Sequence, residues 1–173
     1  MSTSTALFLL IRAAHVLVAA IWLGATFLLS FVVLPSLQDI GPAAAPMMGA
    51  LMRRKLPAFM ASMGGTAVLT GIYLFYRFTG GFDPALSGSR AAMTFGTGGL
   101  AGILALVVGG VVVAKNAKKM GELAARLSSA AEAERAALGA QMAAARARAA
   151  TGSRIVITLQ IVAIVLMAIG HYV

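Results

Sequence analysis

Apolar positions fall into four long runs separated by charged or turn-rich stretches, and this pattern predicts four helices at about 6–34, 58–78, 91–114 and 154–173. A run of roughly 18 or more apolar residues can cross the hydrocarbon core as a helix, which satisfies its own backbone in lipid. The expected fold is all-α, an integral membrane four-helix bundle forming a single domain. The first run reads as a retained helix and not a secretory leader, because its early basic residue, Arg12, lies inside the apolar stretch rather than before it. Between the third and fourth runs, residues 115–151 are rich in Ala, Glu, Arg and Leu, which favour helix. That segment predicts a helical hairpin turning near Ser128 to Glu134, with Thr151-Gly152-Ser153 capping the return. The stretch from Pro35 to Pro57 carries Gly41, Pro42, Pro46 and Gly49 and reads as a connector with a short interfacial helix. The turn-rich loop from Thr79 to Arg90 is short enough to keep the second and third helices adjacent, and Gly98, Gly102 and Gly109 allow close helix approach.

Composition removes the soluble alternative: 60% of the 173 residues are hydrophobic and 11% charged, far from the balance of a water-soluble domain. The net charge of +9 says more through its placement than its size. Eleven Lys and Arg (Arg53, Arg54, Lys55, Lys115, Lys118, Lys119, Arg126, Arg135, Arg146, Arg148 and Arg154) lie on one side of the predicted spans, against Arg12, Arg77 and Arg90 on the other. The positive-inside rule makes the eleven cytoplasmic, with both termini outside and the hairpin inside. Anionic lipid is the expected partner of the basic loops. No nucleic-acid-reading motif accompanies the charge, so nucleic acid is not an expected partner. With no cysteine in the chain, thiolate metal sites and cysteine nucleophiles are excluded. Asp39, Asp83, Glu122, Glu132 and Glu134 all lie outside the spans, which leaves hydrolytic chemistry without a buried carboxylate or a nucleophile with its base.

Ionisable groups within spans are costly and usually face a bundle interior. Arg12, His15, Ala19, Trp22 and Thr26 share one face of the first helix; Gln160, Ile164, Met167 and His171 share one of the fourth; and Ser62, Thr66, Thr70, Tyr73 and Arg77 line the second. The simplest arrangement turns all three stripes inward. His15 and His171, the two histidines of the chain, then lie at similar depth near the outer face. If the first and fourth helices are neighbours, two imidazoles could serve as axial ligands of a b-type haem held in the bundle. Arg12 and Arg77 would stand near the propionates, and Trp22 and Tyr73 complete the candidate cofactor-binding set. Each residue also has a structural reading: hydrogen bonding for the histidines, snorkelling for the arginines, and packing or interfacial anchoring for the aromatics.

The segment Arg12-Ala-Ala-His15-Val-Leu-Val-Ala-Ala-Ile-Trp22-Leu-Gly24 resembles the first helix of small bacterial membrane proteins related to the membrane domain of copper-resistance protein D (CopD-like). Leu69-Thr70-Gly71-Ile72-Tyr73 and the ending Met167-Ala168-Ile169-Gly170-His171-Tyr172 extend the similarity. The resemblance implies a multi-pass protein of the bacterial cytoplasmic (inner) membrane and haem or copper association. The leading expectation is a haem b protein, in electron transfer or non-catalytic, with a redox partner. The alternatives are copper handling through His15 and inward methionines, and a cofactor-free accessory subunit of a membrane complex. Homo-oligomerisation is left open.

Overall fold

The computed structural model describes residues 3–173, and those residues are helical almost throughout, with no strand among them. Helix α1 (Thr3–Leu28) runs through a π-helical turn (Leu29–Val33) into α2 (Leu34–Ile40). A 3-10 turn (Gly41–Ala44) and α3 (Ala45–Arg53) lead to α4 (Leu56–Phe78). The short α5 (Pro84–Ser87) precedes α6 (Arg90–Val108), a second π-helical turn (Gly109–Ala114) and α7 (Lys115–Ser129). The last helix is α8 (Glu132–Ile169). Four of the resulting helical rods are long and apolar enough to cross a membrane.

The rods close into a ring in which α1 meets α4 and α8, and α6 meets α4 and α8. Their directions follow from facing residues. His15 lies against Gly71 and Trp22 against Gly64, so numbering rises on α1 as it falls on α4. Phe95 lies against Gly170, and Val112 against Gly152, which makes α6 and α8 antiparallel as well. Trp22, Ala67, Ala105 and Val156, one residue from each of α1, α4, α6 and α8, form the central cluster.

The radial distribution of size is the reverse of that in a water-soluble bundle. Ala92 and Ala105 are completely buried, while Leu69 is 70% exposed, Leu10 68% and Val111 62%. Small residues inside let the helix backbones approach one another, and large apolar residues form the outer surface. Gly64 is the tightest contact between α1, α4 and α6, because a Cβ there would stand 2.8 Å from Leu106 Cδ1 and 2.9 Å from the Trp22 ring.

Several boundaries differ from the sequence expectation. The first rod continues past Pro35 to Ile40; the preceding π turn breaks the regular backbone ladder there, so the missing proline N–H disrupts little. The second span begins at Leu56, with Pro57 in its first turn, where proline is tolerated. The hairpin turns at Ala130 and Ala131, within the expected stretch. Thr151-Gly152-Ser153 does not cap anything, since α8 passes through it unbroken. Gly152 and Ser153 are buried there, and Gly152 receives Val112 and Val113 of the facing helix. The fourth span ends at Ile169, leaving His171 beyond the helix.

Replacing Gly64 by Val should destabilise the bundle by about 1–3 kcal/mol through overpacking. Gly65, with nothing within 4 Å of a built Cβ, should accept Ala within about 0.5 kcal/mol. Melting of both variants in detergent checks this, and equal losses would show that the Gly64 notch is not the constraint.

Candidate functional site

The polar stripes meet in two places. At the end of the bundle near the two termini, Arg12 Nη2 donates to His171 Nε2 at 3.1 Å, joining α1 to the residues that follow α8. The His171 ring also stands edge-on to Phe95, with centroids 5.0 Å apart. This position results from the chain turning after Ile169: Gly170 has no side chain where the Phe95 ring lies, as a Cβ would fall 2.4 Å from Phe95 Cε1.

One turn along α1, His15 faces α4 and not His171. Its Nδ1 is 2.9 Å from the Ala67 carbonyl oxygen and 3.0 Å from Thr70 Oγ1. A carbonyl can only accept, so Nδ1 carries the hydrogen and Nε2 keeps its lone pair. Thr70 donates its own hydroxyl back to Thr66 O at 2.6 Å. Gly71 leaves room for the imidazole, whose Cε1 would lie 3.0 Å from a Cβ at that position.

The second meeting point is deeper. Thr26 Oγ1 donates to the Trp22 carbonyl at 2.7 Å, and Gln160 Nε2 reaches Thr26 Oγ1 at 3.5 Å, the limit of a hydrogen bond. Gln160 is only 3% exposed, and its Oε1 is buried without a partner among the described residues.

The remaining expected residues divide. Trp22 is in the central cluster and Tyr73 is half-buried, but Arg77 is exposed and has no ion pair among the described residues. On α4 the stripe does not turn inward as a unit, since Ser62 and Thr66 are exposed; Ile164 is also exposed on α8. A helical face defined by spacing is wider than the strip that touches its neighbours, and hydroxyls bonded to their own helix, as Ser62 is to Phe59 O, can face outward. Met60 and Met63 pack against the central cluster, which makes them filling between helices. Sequence reasoning missed Phe95, which carries no periodic polar signal. It also missed the pairing of His15 with Thr70, although the seven-residue steps His15 to Trp22 and Gly64 to Gly71 would register the two helices.

A bis-histidine haem needs two free Nε2 lone pairs facing each other across room for a macrocycle. His15 meets the first condition, and its Nδ1–H to carbonyl bond is the usual way a ligating imidazole is oriented. His171 does not, because its Nε2 accepts from Arg12. Two open grooves lie along α8, one against α6 and lined by Arg90, Met93, Thr94, Thr97, Leu166 and Val173, the other against the following π turn and lined by Val112, Ala147, Arg148, Thr151, Gly152 and Ile155, with neither histidine on their walls. In this arrangement the pair does not fit axial ligation. No cluster of three or more His, Cys, Asp or Glu able to hold a metal occurs among the described residues.

Substituting Leu for His15 should cost about 1–2 kcal/mol, because it removes a half-buried interhelical hydrogen bond. His171→Leu, at an exposed site, should cost no more than about 0.5 kcal/mol. Gln160→Leu should leave stability unchanged or raise it by up to about 1 kcal/mol, since an unpartnered buried acceptor disappears. Thermal melts of the three variants in one detergent give the ranking, and a large loss for Gln160→Leu would mean that Oε1 has a partner in solution.

No family model matches the chain, and comparison with curated proteins and with solved structures gives no match, so the resemblance to CopD-like proteins rests on the quoted residues alone.

Proposed function

We propose that this chain is a multi-pass protein of the bacterial inner membrane, with both termini outside, and that it serves as a cofactor-free accessory subunit holding a basic helical hairpin at the cytoplasmic face. The carrying observation is that hairpin. Helix α7 packs on the first part of α8, and Leu123, Leu138 and Ala145 of the hairpin are buried. Residues 115–154 hold eight Lys and Arg (Lys115, Lys118, Lys119, Arg126, Arg135, Arg146, Arg148 and Arg154) against Glu122, Glu132 and Glu134. Two ion pairs, Lys118 with Glu122 and Arg135 with Glu132, offset part of this charge, and the net positive surface suits an acidic protein partner. Membrane insertion is supported by the large apolar side chains on the outside of the bundle. The orientation is supported by the eleven-to-three division of basic residues.

Haem binding is the second reading, and the observation in its favour is the His15 Nδ1–H bond, which leaves Nε2 available. Copper handling has only His15 and the packed methionines to draw on.

Because the chain has no cysteine, single cysteines report topology without background. Ala85→Cys, in the loop before α6, should react with an impermeant maleimide in intact cells, whereas Ala133→Cys, at the hairpin tip, should react only after permeabilisation; the reverse result overturns the orientation. For function, the tagged protein extracted in mild detergent should migrate in a larger complex that is lost when Lys119, Arg126 and Arg135 are changed to Glu. Migration unaffected by those changes would count against a docking arm. A Soret band in protein from haem-replete cells, lost in His15→Ala and His171→Ala, would replace this reading with the haem one.

A further inference from the structure

The groove at the base of the hairpin has the build of a lipid site. Arg148, Thr151, Gly152 and Ile155 follow the i, i+3, i+4, i+7 spacing and so form one face of α8. Val112, from the π-helical turn between α6 and α7, closes the opposite wall. Gly152 brings the two rods together here, with Val112 Cγ1 only 2.9 Å from where its Cβ would be. Arg148 and Ile155 therefore stand one full turn to either side of the closest approach, flanking an opening of about 310 Å³.

Polarity changes along this groove in the same sense as across a bilayer boundary. From Ile155 to Ile169 α8 carries no charge, and on the facing rod the first charge after Arg90 is Lys115. At 1.5 Å per residue, Val112 lies about 33 Å along the rod from Arg90, close to the full thickness of a hydrocarbon core of about 30 Å. Arg148 lies about 9 Å further out than Arg154 along α8, which is headgroup depth. Ile155 and Val112 thus meet the acyl region, and Arg148 and Thr151 meet the headgroup. Neither the Arg148 guanidinium nor the Thr151 hydroxyl has a side-chain partner among the described residues. Arg146, Arg154, Lys115 and Lys119 raise the local positive potential, with no Asp or Glu between residues 135 and 173. The other groove along α8 has Arg90 as its one cation and lacks such a collar.

We infer that this inner groove binds one anionic phospholipid, with its phosphate on Arg148 and Thr151 and an acyl chain along Val112 and Ile155. The inference rests on the membrane reading above but not on the accessory role or on which face is cytoplasmic. A guanidinium offers a planar pair of donors to phosphate oxygens, and the apolar side chains of Val112 and Ile155 beside it favour an amphiphile over a free ion.

Full-length protein in neutral detergent is titrated with phosphatidylglycerol, phosphatidylcholine or inorganic phosphate, and retained lipid is counted by native mass spectrometry. One phosphatidylglycerol should bind per chain, at least tenfold more tightly than phosphatidylcholine. Arg148→Gln should weaken it about tenfold, equivalent to about 1.4 kcal/mol, and Arg146→Gln, on another face of the same collar, less than twofold. Equal weakening by both variants would mean diffuse attraction and no site. Equal binding of phosphatidylcholine would remove the anionic selectivity, and competition by millimolar inorganic phosphate would assign the arginine to a free ion; either result overturns the proposal. A protein recovered in the soluble fraction without detergent would instead overturn the membrane reading itself.

Discussion

Close contact between α6 and α8 governs the rest of the structure. These two rods run side by side from Phe95 and Gly170 at one end to Val112 and Gly152 at the other, with Gly98 against Ala163, Leu166 and Met167 between them. Where a glycine faces a large side chain, the two backbones come nearer than any pair of β-carbons would allow. On the proposed membrane reading that proximity is the main source of helix–helix attraction, since moving apolar surface from lipid to protein gains little. The contact also fixes where α8 is held, and through α8 it determines which residues reach α1: Gln160 beside Thr26, and His171 beside Arg12.

Polar side chains tie the helices together at one half-buried point and one exposed point, and elsewhere bond their own helix. His15 and Thr70 join α1 to α4, Arg12 and His171 join α1 to the end of α8, and Thr26 returns its hydroxyl to its own helix. Low dielectric makes a satisfied polar pair a strong constraint on register and an unsatisfied one a cost. The His15 bond adds a directional contact to the register that Trp22 in the Gly64 notch already gives α1 and α4. Gln160 is the exception, as one end of its amide makes a weak contact and the other makes none. It is the place in the interior where a small donor would be held most readily.

Much of the fold was legible because apolar run length is a direct readout of span length, and the chain has four such runs with clear gaps. The helical hairpin was legible for a related reason: alanine, glutamate and arginine leave the backbone no better alternative than helix. The boundary at Thr151-Gly152-Ser153 was misread because the same residue types cap helices in loops and form notches within packed helices. Only the presence of Val112 opposite Gly152 distinguishes the two cases, and that is tertiary information. The candidate site was half legible. Spacing correctly put Arg12, His15, Trp22 and Thr26 on one face of α1, but a face does not specify its neighbours. His15 turned to α4 because Gly71 offers space there, and His171 left the helical stripe because the chain turns at Gly170.

Continuity of the two long rods links the four-helix bundle to the hairpin. The rod from Arg90 to Ser129 is 40 residues long and that from Glu132 to Ile169 is 38, so each extends for nearly 60 Å, about twice the hydrocarbon thickness. With no loop at residues 151–153, α8 joins the tip of the hairpin to the Gln160 contact as one unbroken helix that ends at Ile169, two residues before His171. The facing rod differs, because its backbone widens into a π turn at Gly109–Ala114 just where it leaves the bundle. A force applied at the tip therefore meets a regular helix on one side and an irregular one on the other, and helices bend preferentially at such irregularities. The two rods cannot respond alike. Val112 in that irregular turn packs on Gly152 of the regular helix, so the seam beside the basic groove joins one irregular rod to one regular one.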